Sequence, residues 1–124
     1  MWRIVFHDDF YEELMEFSEE VQDGLASCQG LLEACGPQLG RPHADTLEGS
    51  TYPNMKELRF DADNGVWRVA FAFDSKRQAV LLVAGDKSGT SQKRFYKQLI
   101  KKADERFTEW IEQQKGACGS WHVQ

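Results

Sequence analysis

The sequence predicts an α+β domain: a small, mostly antiparallel sheet of about four strands with an N-terminal helical hairpin and a long C-terminal helix. Apolar residues recur at helical spacing in the first 36 residues and again after residue 91. Between these regions, two segments alternate apolar and polar residues, and a third is almost wholly apolar. The length of 124 residues suits one domain, which we expect at residues 1–115, followed by a flexible tail at residues 116–124.

The first third of the chain predicts one strand and two helices. Residues 1–6 are apolar and β-prone, and Asp8 or Asp9 can cap the next helix by accepting backbone N–H bonds. We expect this helix to end at Gly24 and the second one to end at Gly36-Pro37. The apolar stripes are Phe10, Leu14, Phe17 and Val21 in the first helix, and Leu25, Cys28, Leu31, Leu32 and Cys35 in the second.

A loop and a β-hairpin are predicted next. Residues 36–54 hold three glycines and three prolines with little periodicity, which is typical of a loop. Residues 55–61 and 66–73 alternate as strands, and Asn64-Gly65 between them favours the type I′ turn of a hairpin. Residues 78–84 are nearly all apolar and predict a strand that is covered on both faces.

The hairpin places two arginines close together. If Asn64-Gly65 is the two-residue loop, Asp61 pairs with Arg68, and Arg59 lies diagonally from Arg68 on the same face of the sheet. Like charges repel at that distance, so the fold gains nothing from the pair. Two interpretations of Arg68 are therefore open: a functional role, or a structural cross-strand ion pair with Asp61.

The final helix carries its charges against the helix dipole. Ser91 can cap it, and Phe95, Leu99, Ala103 and others repeat every four residues until an expected end near Lys115-Gly116. Basic residues occupy its first turns and acidic residues its later ones, although the dipole favours the reverse by about 0.3–1 kcal/mol per charge. This arrangement indicates either an anion-binding surface or a merely solvated basic face.

Charge is segregated along the chain. Residues 1–36 carry nine acidic residues and one basic residue, whereas residues 37–102 carry twelve basic and seven acidic residues. A cationic face on a chain with a net charge of −5 can still attract an anionic partner, because the local field steers association. The overall acidity therefore does not exclude nucleic acid as a partner.

Several classes of protein are disfavoured. No apolar run approaches the roughly 20 residues of a membrane span, and the N-terminus turns acidic where a signal peptide would stay apolar. The three cysteines form no Cys-x-x-Cys pair, and the three histidines lack metal-ligand spacing, so we expect a cytoplasmic protein with no metal and no cofactor. The segment Gly85-Asp86-Lys87-Ser88-Gly89 lacks the spacing of a nucleotide-binding P-loop. Among the histidines, His43 is a candidate for proton transfer beside the basic sheet.

A succession of motifs resembles a known family. The segments are Leu39-Gly40-Arg41-Pro42, Thr46-Leu47-Glu48-Gly49-Ser50, Met55-Lys56-Glu57-Leu58-Arg59-Phe60, Val66-Trp67-Arg68-Val69-Ala70-Phe71, Gly85-Asp86-Lys87-Ser88-Gly89 and Arg94-Phe95-Tyr96. Together they closely resemble the RelE/HigB-like toxins of bacterial type II toxin–antitoxin systems, particularly the phage-derived HigB-like branch. The resemblance covers about residues 1–112 and is specific in the order of the segments rather than in any one of them.

This resemblance implies a RelE-like fold and a ribosome-dependent endoribonuclease that cuts mRNA without a metal. In that chemistry the ribose 2′-hydroxyl attacks the adjacent phosphate and the 5′-oxygen departs. It implies three partners: mRNA, the ribosome, and a cognate helix-turn-helix antitoxin through which any DNA contact would come. Two alternatives stay open, namely a toxin of the same fold acting on another target such as gyrase, and a catalytically silent binding module.

The resemblance also suggests roles for individual residues. Arg68 would stabilise the phosphate in the transition state, and Arg59 would hold the adjoining phosphate through two parallel hydrogen bonds. Lys87 would stabilise the phosphate or protonate the leaving oxygen. Tyr96 would orient or activate the 2′-hydroxyl or stack on a base, unless it is a helix-face tyrosine that packs on its neighbours. The residues expected to hold the RNA backbone are Lys56, Lys93, Arg94 and Lys97. Lys56 falls on the face opposite Arg59 in a regular strand, and no histidine follows Lys87, so the proton acceptor has no assignment.

Overall fold

The computed structural model describes the backbone of residues 1–123 and the side chains of residues 1–115. The described residues form five strands and three α-helices, with a 3₁₀ turn at Gly36–Gln38. They are β1 (Arg3–Phe6), α1 (Asp8–Glu16), α2 (Glu19–Cys35), β2 (Ala44–Thr46), β3 (Met55–Ala62), β4 (Gly65–Phe73), β5 (Gln78–Asp86) and α3 (Gln92–Val123). Among the described residues, none of the helices contains an apolar stretch of the length that a membrane span requires.

The strands form one sheet in the order β1-β5-β4-β3-β2. β1 runs parallel to β5, and every other neighbouring pair is antiparallel, which confirms the predicted α+β class and the mostly antiparallel sheet. The sheet has one strand more than expected, because β2 lies inside the segment predicted as a loop. Its three residues are too few to show the alternation by which a strand is recognised in a sequence.

Each face of the sheet has its own core. One core joins α1 and α2 to the first face and is built around Phe10, Leu25, Leu32 and Phe71. The other joins α3 to the opposite face and is built around Met55, Leu82, Phe95, Leu99 and Phe107. β5 contributes to both cores, as its uninterrupted apolar sequence predicts.

The helical hairpin is divided at a different residue from the one predicted. The break falls at Phe17-Ser18, where the Ser18 hydroxyl accepts a 3.3 Å hydrogen bond from the Val21 backbone and caps α2. Gly24 lies inside α2, so its predicted role as a helix breaker is wrong. The glycine lets Phe60 approach, since a Cβ at this position would stand 2.7 Å from the Phe60 ring.

The N-terminal cap of α1 differs from the prediction, whereas that of α3 confirms it. His7 caps α1 in place of the predicted Asp8 or Asp9, because its Nδ1 accepts a 3.1 Å hydrogen bond from the Asp9 backbone N–H. Ser91 caps α3 as predicted, its hydroxyl accepting from the backbone N–H of Arg94 at 3.2 Å.

The end of the last helix also differs from the prediction. α3 continues to Val123, past the expected end near Lys115-Gly116. A single glycine costs a helix interior only about 1 kcal/mol relative to alanine, which is too little to stop a helix already formed. The side chains of residues 116–124 lie outside the described part of the chain, so the predicted mobility of this tail stays a prediction.

The β3–β4 turn shifts the hairpin register by one residue on each strand. Asp63 and Asn64 form the two-residue loop with φ values of 51° and 60°, and Gly65 already belongs to β4. Gly65 leaves space for Asp86, whose carboxylate accepts a 2.9 Å hydrogen bond from the Val66 backbone. The predicted register is therefore wrong: Arg59 lies directly opposite Arg68, and Asp61 pairs with Val66.

We expect Asn64→Val to lower the free energy of unfolding by about 1–2 kcal/mol, because a β-branched side chain disfavours the left-handed conformation at this position. Asn64→Gly, which removes the Cβ, is the matched control and should leave stability unchanged or higher. Urea unfolding of the two variants measures the difference. Equal midpoints for both would show that this turn does not control the register.

Candidate active site

Four side chains meet on the sheet face that packs against α3. Arg59 on β3 and Arg68 on β4 are register partners, so both point to one face of the sheet. Glu57 precedes Arg59 by two residues and shares that face, because side chains alternate along a strand. Tyr96, near the start of α3, reaches the same place and donates a 2.8 Å hydrogen bond from its hydroxyl to Glu57 Oε1.

Both arginines surround the carboxylate of Glu57. Arg59 Nη1 lies 3.4 Å from Glu57 Oε2, and Arg68 Nε lies 3.8 Å from Glu57 Oε1. Arg68 also donates to the Tyr96 hydroxyl at 3.3 Å and, through Nη1, to the backbone carbonyl of Trp67 at 2.9 Å. These bonds hold the Arg68 guanidinium and the Tyr96 ring in fixed orientations.

The four side chains of this cluster differ in their exposure to solvent. The side chains of Glu57 and Arg68 are 5% and 6% exposed, whereas Arg59 is 25% exposed and Tyr96 is half-buried. Burial raises the pKa of Glu57, although the Tyr96 hydrogen bond and the charges of Arg68 and Arg59 lower it in part. Burial and the hydrogen bond to Glu57 also raise the pKa of Tyr96, against a smaller opposing effect of Arg68. The tyrosine is therefore a neutral phenol at physiological pH.

Lys87 completes the charged site. It follows β5 directly, and its backbone N–H donates to the Val66 carbonyl at 2.8 Å. Its ammonium nitrogen lies 5.9 Å from the centre of the Tyr96 ring. Partial desolvation, followed by the nearby charges of Arg68 and Arg59, lowers the pKa of Lys87. A lysine in this position holds its proton less firmly than a lysine in water, which suits it to donate one.

Of the residues predicted to bind the RNA backbone, three lie at the same end of α3 as Tyr96 and one lies on the opposite face of the sheet. Lys93, Arg94 and Lys97 are exposed on the first turns of α3, the same end of the helix as Tyr96. Lys56 lies on the opposite face of the sheet, where its ammonium donates to the Pro37 carbonyl at 3.3 Å. The structure therefore separates Lys56 from the arginines, as the alternation of a regular strand requires.

His43 stands at the edge of the site. It is exposed, and its carbonyl accepts a 2.8 Å hydrogen bond from the Arg59 backbone. His43 lines a cavity of about 600 Å³ whose wall includes Arg59 and Arg68. His43 and the two arginines thus line one cavity, although none of the described hydrogen bonds joins the imidazole to Glu57 or Tyr96.

Comparison with known proteins identifies the family. The model of the family described as "Phage derived protein Gp49-like (DUF891)" matches residues 12–108. The chain belongs to this family. It is 47% identical over 98 residues to a Mycobacterium tuberculosis protein named "Putative toxin HigB3", with 77% of this chain and 83% of that protein covered. It is 46% identical over 84 residues to "Putative toxin HigB2" of the same organism, with 67% of this chain and 41% of that protein covered. The resemblance to the phage-derived HigB-like branch is confirmed.

One member of the site, Glu57, is not among the residues predicted from the sequence. Alternation alone marks Glu57 as a polar strand residue, and the predicted register offers Asp61 as the acidic partner of Arg68. In the structure Asp61 is exposed and Glu57 is the buried partner. The spacing of two residues between Glu57 and Arg59 is the signal that could have found it, because it places both side chains on one face.

A second cluster contains three groups of the kinds that ligate metals. Ligand atoms of His7, Asp9 and Glu109 lie within 4.8 Å of one another. Both ring nitrogens of His7 already have partners, however, since Nδ1 accepts from the Asp9 backbone and Nε2 lies 2.9 Å from Glu109. The cluster thus ties the start of α1 to α3, about 20 Å along the helix from Tyr96, and we assign it no metal.

Proposed function

We propose that this Gp49-like protein is the toxin of a type II toxin–antitoxin system and acts as a ribosome-dependent mRNA endoribonuclease. The observation that carries the proposal is the convergence of Arg59, Arg68, Lys87 and Tyr96 on one site. The names of the two mycobacterial relatives agree with a toxin. The family resemblance supplies the reaction class, in which no metal takes part.

Two arginines opposite each other suit a phosphodiester that gains negative charge. When the ribose 2′-oxygen attacks the phosphorus, charge accumulates on the equatorial oxygens of the pentavalent phosphate. Arg68 is buried and fixed by the Trp67 carbonyl, so it would stabilise this charge without having to reorganise. Arg59 is more exposed and would bind the same phosphate or the adjoining one through two parallel N–H bonds.

Lys87 is the proposed proton donor to the departing 5′-oxygen. It lies on the side of the site next to Tyr96, and its lowered pKa favours release of a proton. General acid catalysis of this kind contributes typically about 10²–10⁴-fold in rate. His43, at the rim of the adjoining cavity, stands as the second candidate for proton transfer.

Lys93, Arg94 and Lys97 would bind the RNA backbone next to the cluster. We expect Lys93→Ala combined with Lys97→Ala to weaken RNA binding about equally for all sequences and to reduce the salt slope by roughly one for each phosphate that is no longer bound. Binding of a 2′-O-methylated mRNA, which cannot be cut, across a series of salt concentrations measures the slope. Lys56→Ala is the matched control because Lys56 lies on the opposite face. An unchanged slope in the double variant would remove these residues from the interface.

The partners follow from the same surface. The mRNA would reach the site on the ribosome in the cytoplasm, and a helix-turn-helix antitoxin would inhibit the toxin by covering the cationic face. A partner segment with acidic residues suits that face because complementary charge speeds and selects association. DNA contact would come through the antitoxin.

Expression in a bacterium with and without the antitoxin tests the proposal. We expect growth arrest that the antitoxin relieves, with mRNA cuts in phase with codons and 2′,3′-cyclic phosphate ends. Arrest with intact mRNA and DNA damage would instead support a toxin that acts on gyrase. The absence of arrest would support the silent binding module.

A further inference from the structure

The proposed phosphate-binding and acid roles leave Glu57 without a function and the 2′-hydroxyl proton without an acceptor. We propose that Tyr96 and Glu57 form a proton relay, in which Tyr96 receives the proton of the 2′-hydroxyl while it passes its own phenolic proton to Glu57. This inference rests on the proposed endoribonuclease function. It makes Tyr96 the group that touches the substrate and Glu57 the buried acceptor behind it.

The hydrogen bonds of Tyr96 fix its role in the relay. A phenol has one proton to donate and two lone pairs that accept. The proton points to Glu57 Oε1 at 2.8 Å, and one lone pair accepts from Arg68 Nε at 3.3 Å. No other described contact uses the remaining lone pair, so it can accept from a substrate. Because Glu57 accepts only, Tyr96 presents an acceptor and not a donor to the site, as a base for a hydroxyl must.

Burial separates the two members of the relay. The side chain of Glu57 is 5% exposed, and Tyr96 and the two arginines occupy the space around its carboxylate, so a ribose hydroxyl cannot reach it directly. Tyr96 is half-buried, so part of its side chain is accessible to a substrate. Tyr96 alone is a poor final acceptor, because a phenol that carries a second proton on its oxygen is a very strong acid. In the relay the proton ends on the carboxylate of Glu57, whose pKa is raised by burial.

Substrate binding would strengthen the acceptor. In the free protein, Arg59 and Arg68 both face Glu57 and favour its charged form. A phosphate placed between the arginines neutralises part of their charge and adds a negative charge near the carboxylate. Both effects favour the protonated form of Glu57. The relay would therefore work best when the scissile phosphate is in place.

The proposed step balances in atoms and charge. The bond from the 2′-oxygen to phosphorus forms and the bond from phosphorus to the 5′-oxygen breaks. The 2′-hydroxyl proton moves to the Tyr96 oxygen, and the phenolic proton moves to Glu57, which becomes neutral. The 5′-oxygen takes a proton from Lys87. Exchange of protons with water then returns one proton from Glu57 and restores one to Lys87.

The substitution Glu57→Gln tests the relay. An amide oxygen can keep the hydrogen bond from Tyr96, but an amide does not accept a proton at these pH values. We expect single-turnover cleavage of mRNA in programmed ribosomes to slow by about 10²–10⁴-fold. Binding of 2′-O-methylated mRNA should be retained or tighter, because a negative charge has been removed. Glu105→Gln, an exposed glutamate of α3, is the control and should cleave at the wild-type rate.

The pH profile separates proton transfer from mere positioning. The wild-type rate should fall as the pH drops through the pKa of Glu57, above the usual range of glutamate, because only the carboxylate can accept the proton. This acidic limb should be absent in Glu57→Gln. A Glu57→Gln protein that cleaves at the wild-type rate with the same limb would overturn the relay while leaving the endoribonuclease intact. Failure of the wild-type protein to cleave would instead overturn the proposed function.

A second set of variants covers the case in which Glu57→Gln does not fold. Tyr96→Phe removes the hydroxyl and keeps the ring, and its melting temperature reports on folding. A relay predicts that Tyr96→Phe combined with Glu57→Gln loses no more rate than the more impaired single variant, because each one breaks the same path. If Glu57→Gln unfolds, Tyr96→Phe must by itself lose the acidic limb. Wild-type cleavage by Tyr96→Phe would overturn the relay.

Discussion

Replacing Arg68 by alanine is expected to slow mRNA cleavage by at least about 10²–10³-fold and to abolish growth arrest on expression. The reason is that the side chain of Arg68 is 6% exposed and its guanidinium is fixed by the Trp67 carbonyl and the Tyr96 hydroxyl. A fixed charge in a dry site stabilises a developing phosphate charge far more than a hydrated one. Single-turnover cleavage in programmed ribosomes, with 3′-end mapping, measures the loss.

Two controls separate lost catalysis from lost folding. Arg68→Lys keeps a charge but loses the fork that bonds Trp67 and Tyr96, so it should recover only part of the rate. Arg3→Ala removes an exposed arginine of β1, the strand at the far edge of the sheet from β3, and it should cleave normally. If Arg68→Ala is folded and still causes codon-phased cleavage, the phosphate is stabilised elsewhere and Arg68 has only a structural role.

The sequence predicts that the two arginines share one face of the sheet, but it does not predict the register that pairs them. Alternation placed Arg59 and Arg68 on one face, and this is what the register pairs show. The predicted turn is wrong by one residue because Asn-Gly is a strong local signal for the loop, whereas the observed loop is Asp63-Asn64. In the observed turn Gly65 lies against Asp86 of β5, a residue far away in the chain that no local signal reveals.

Contacts with residues distant in the chain also explain why the predictions for Gly24 and Glu57 differ from the structure. Gly24 interrupts a helical pattern locally, yet it is retained inside α2 because Phe60 occupies the space beside it. Glu57 looks like a solvated strand residue until α3 folds over it and brings the Tyr96 hydroxyl within hydrogen-bond distance. Periodicity indicates which face a side chain occupies, but burial and pKa depend on the element that covers that face. The site was therefore predictable as a group of cations and not as a proton path.

The largest effect on stability is expected from Arg106→Met, which should lower the free energy of unfolding by about 2–3 kcal/mol. Arg106 is buried and donates to both carboxylate oxygens of Glu13, at 2.9 and 2.5 Å, and to the Leu82 carbonyl at 2.8 Å. Breaking a buried ion pair usually costs about 3–5 kcal/mol. The expected loss is smaller here because the Glu13 side chain is 43% exposed and can be hydrated. Urea unfolding at neutral pH measures it.

The pH dependence of that loss distinguishes the ion pair from simple packing. The hydrogen bonds from Arg106 lower the pKa of Glu13 below its ordinary value of 4.5, against the opposing effect of burial. The pair therefore stabilises the fold fully above about pH 4.5, and this contribution disappears as the pH falls through the lowered pKa in the folded protein. The difference in stability between wild type and Arg106→Met should shrink in acid without vanishing, because the bond to Leu82 does not titrate. Glu13→Gln, which keeps the packing, should lose the pH-dependent part alone. A difference that stays constant down to pH 3 would mean that Arg106 stabilises the protein through packing and the Leu82 bond, with Glu13 a bystander.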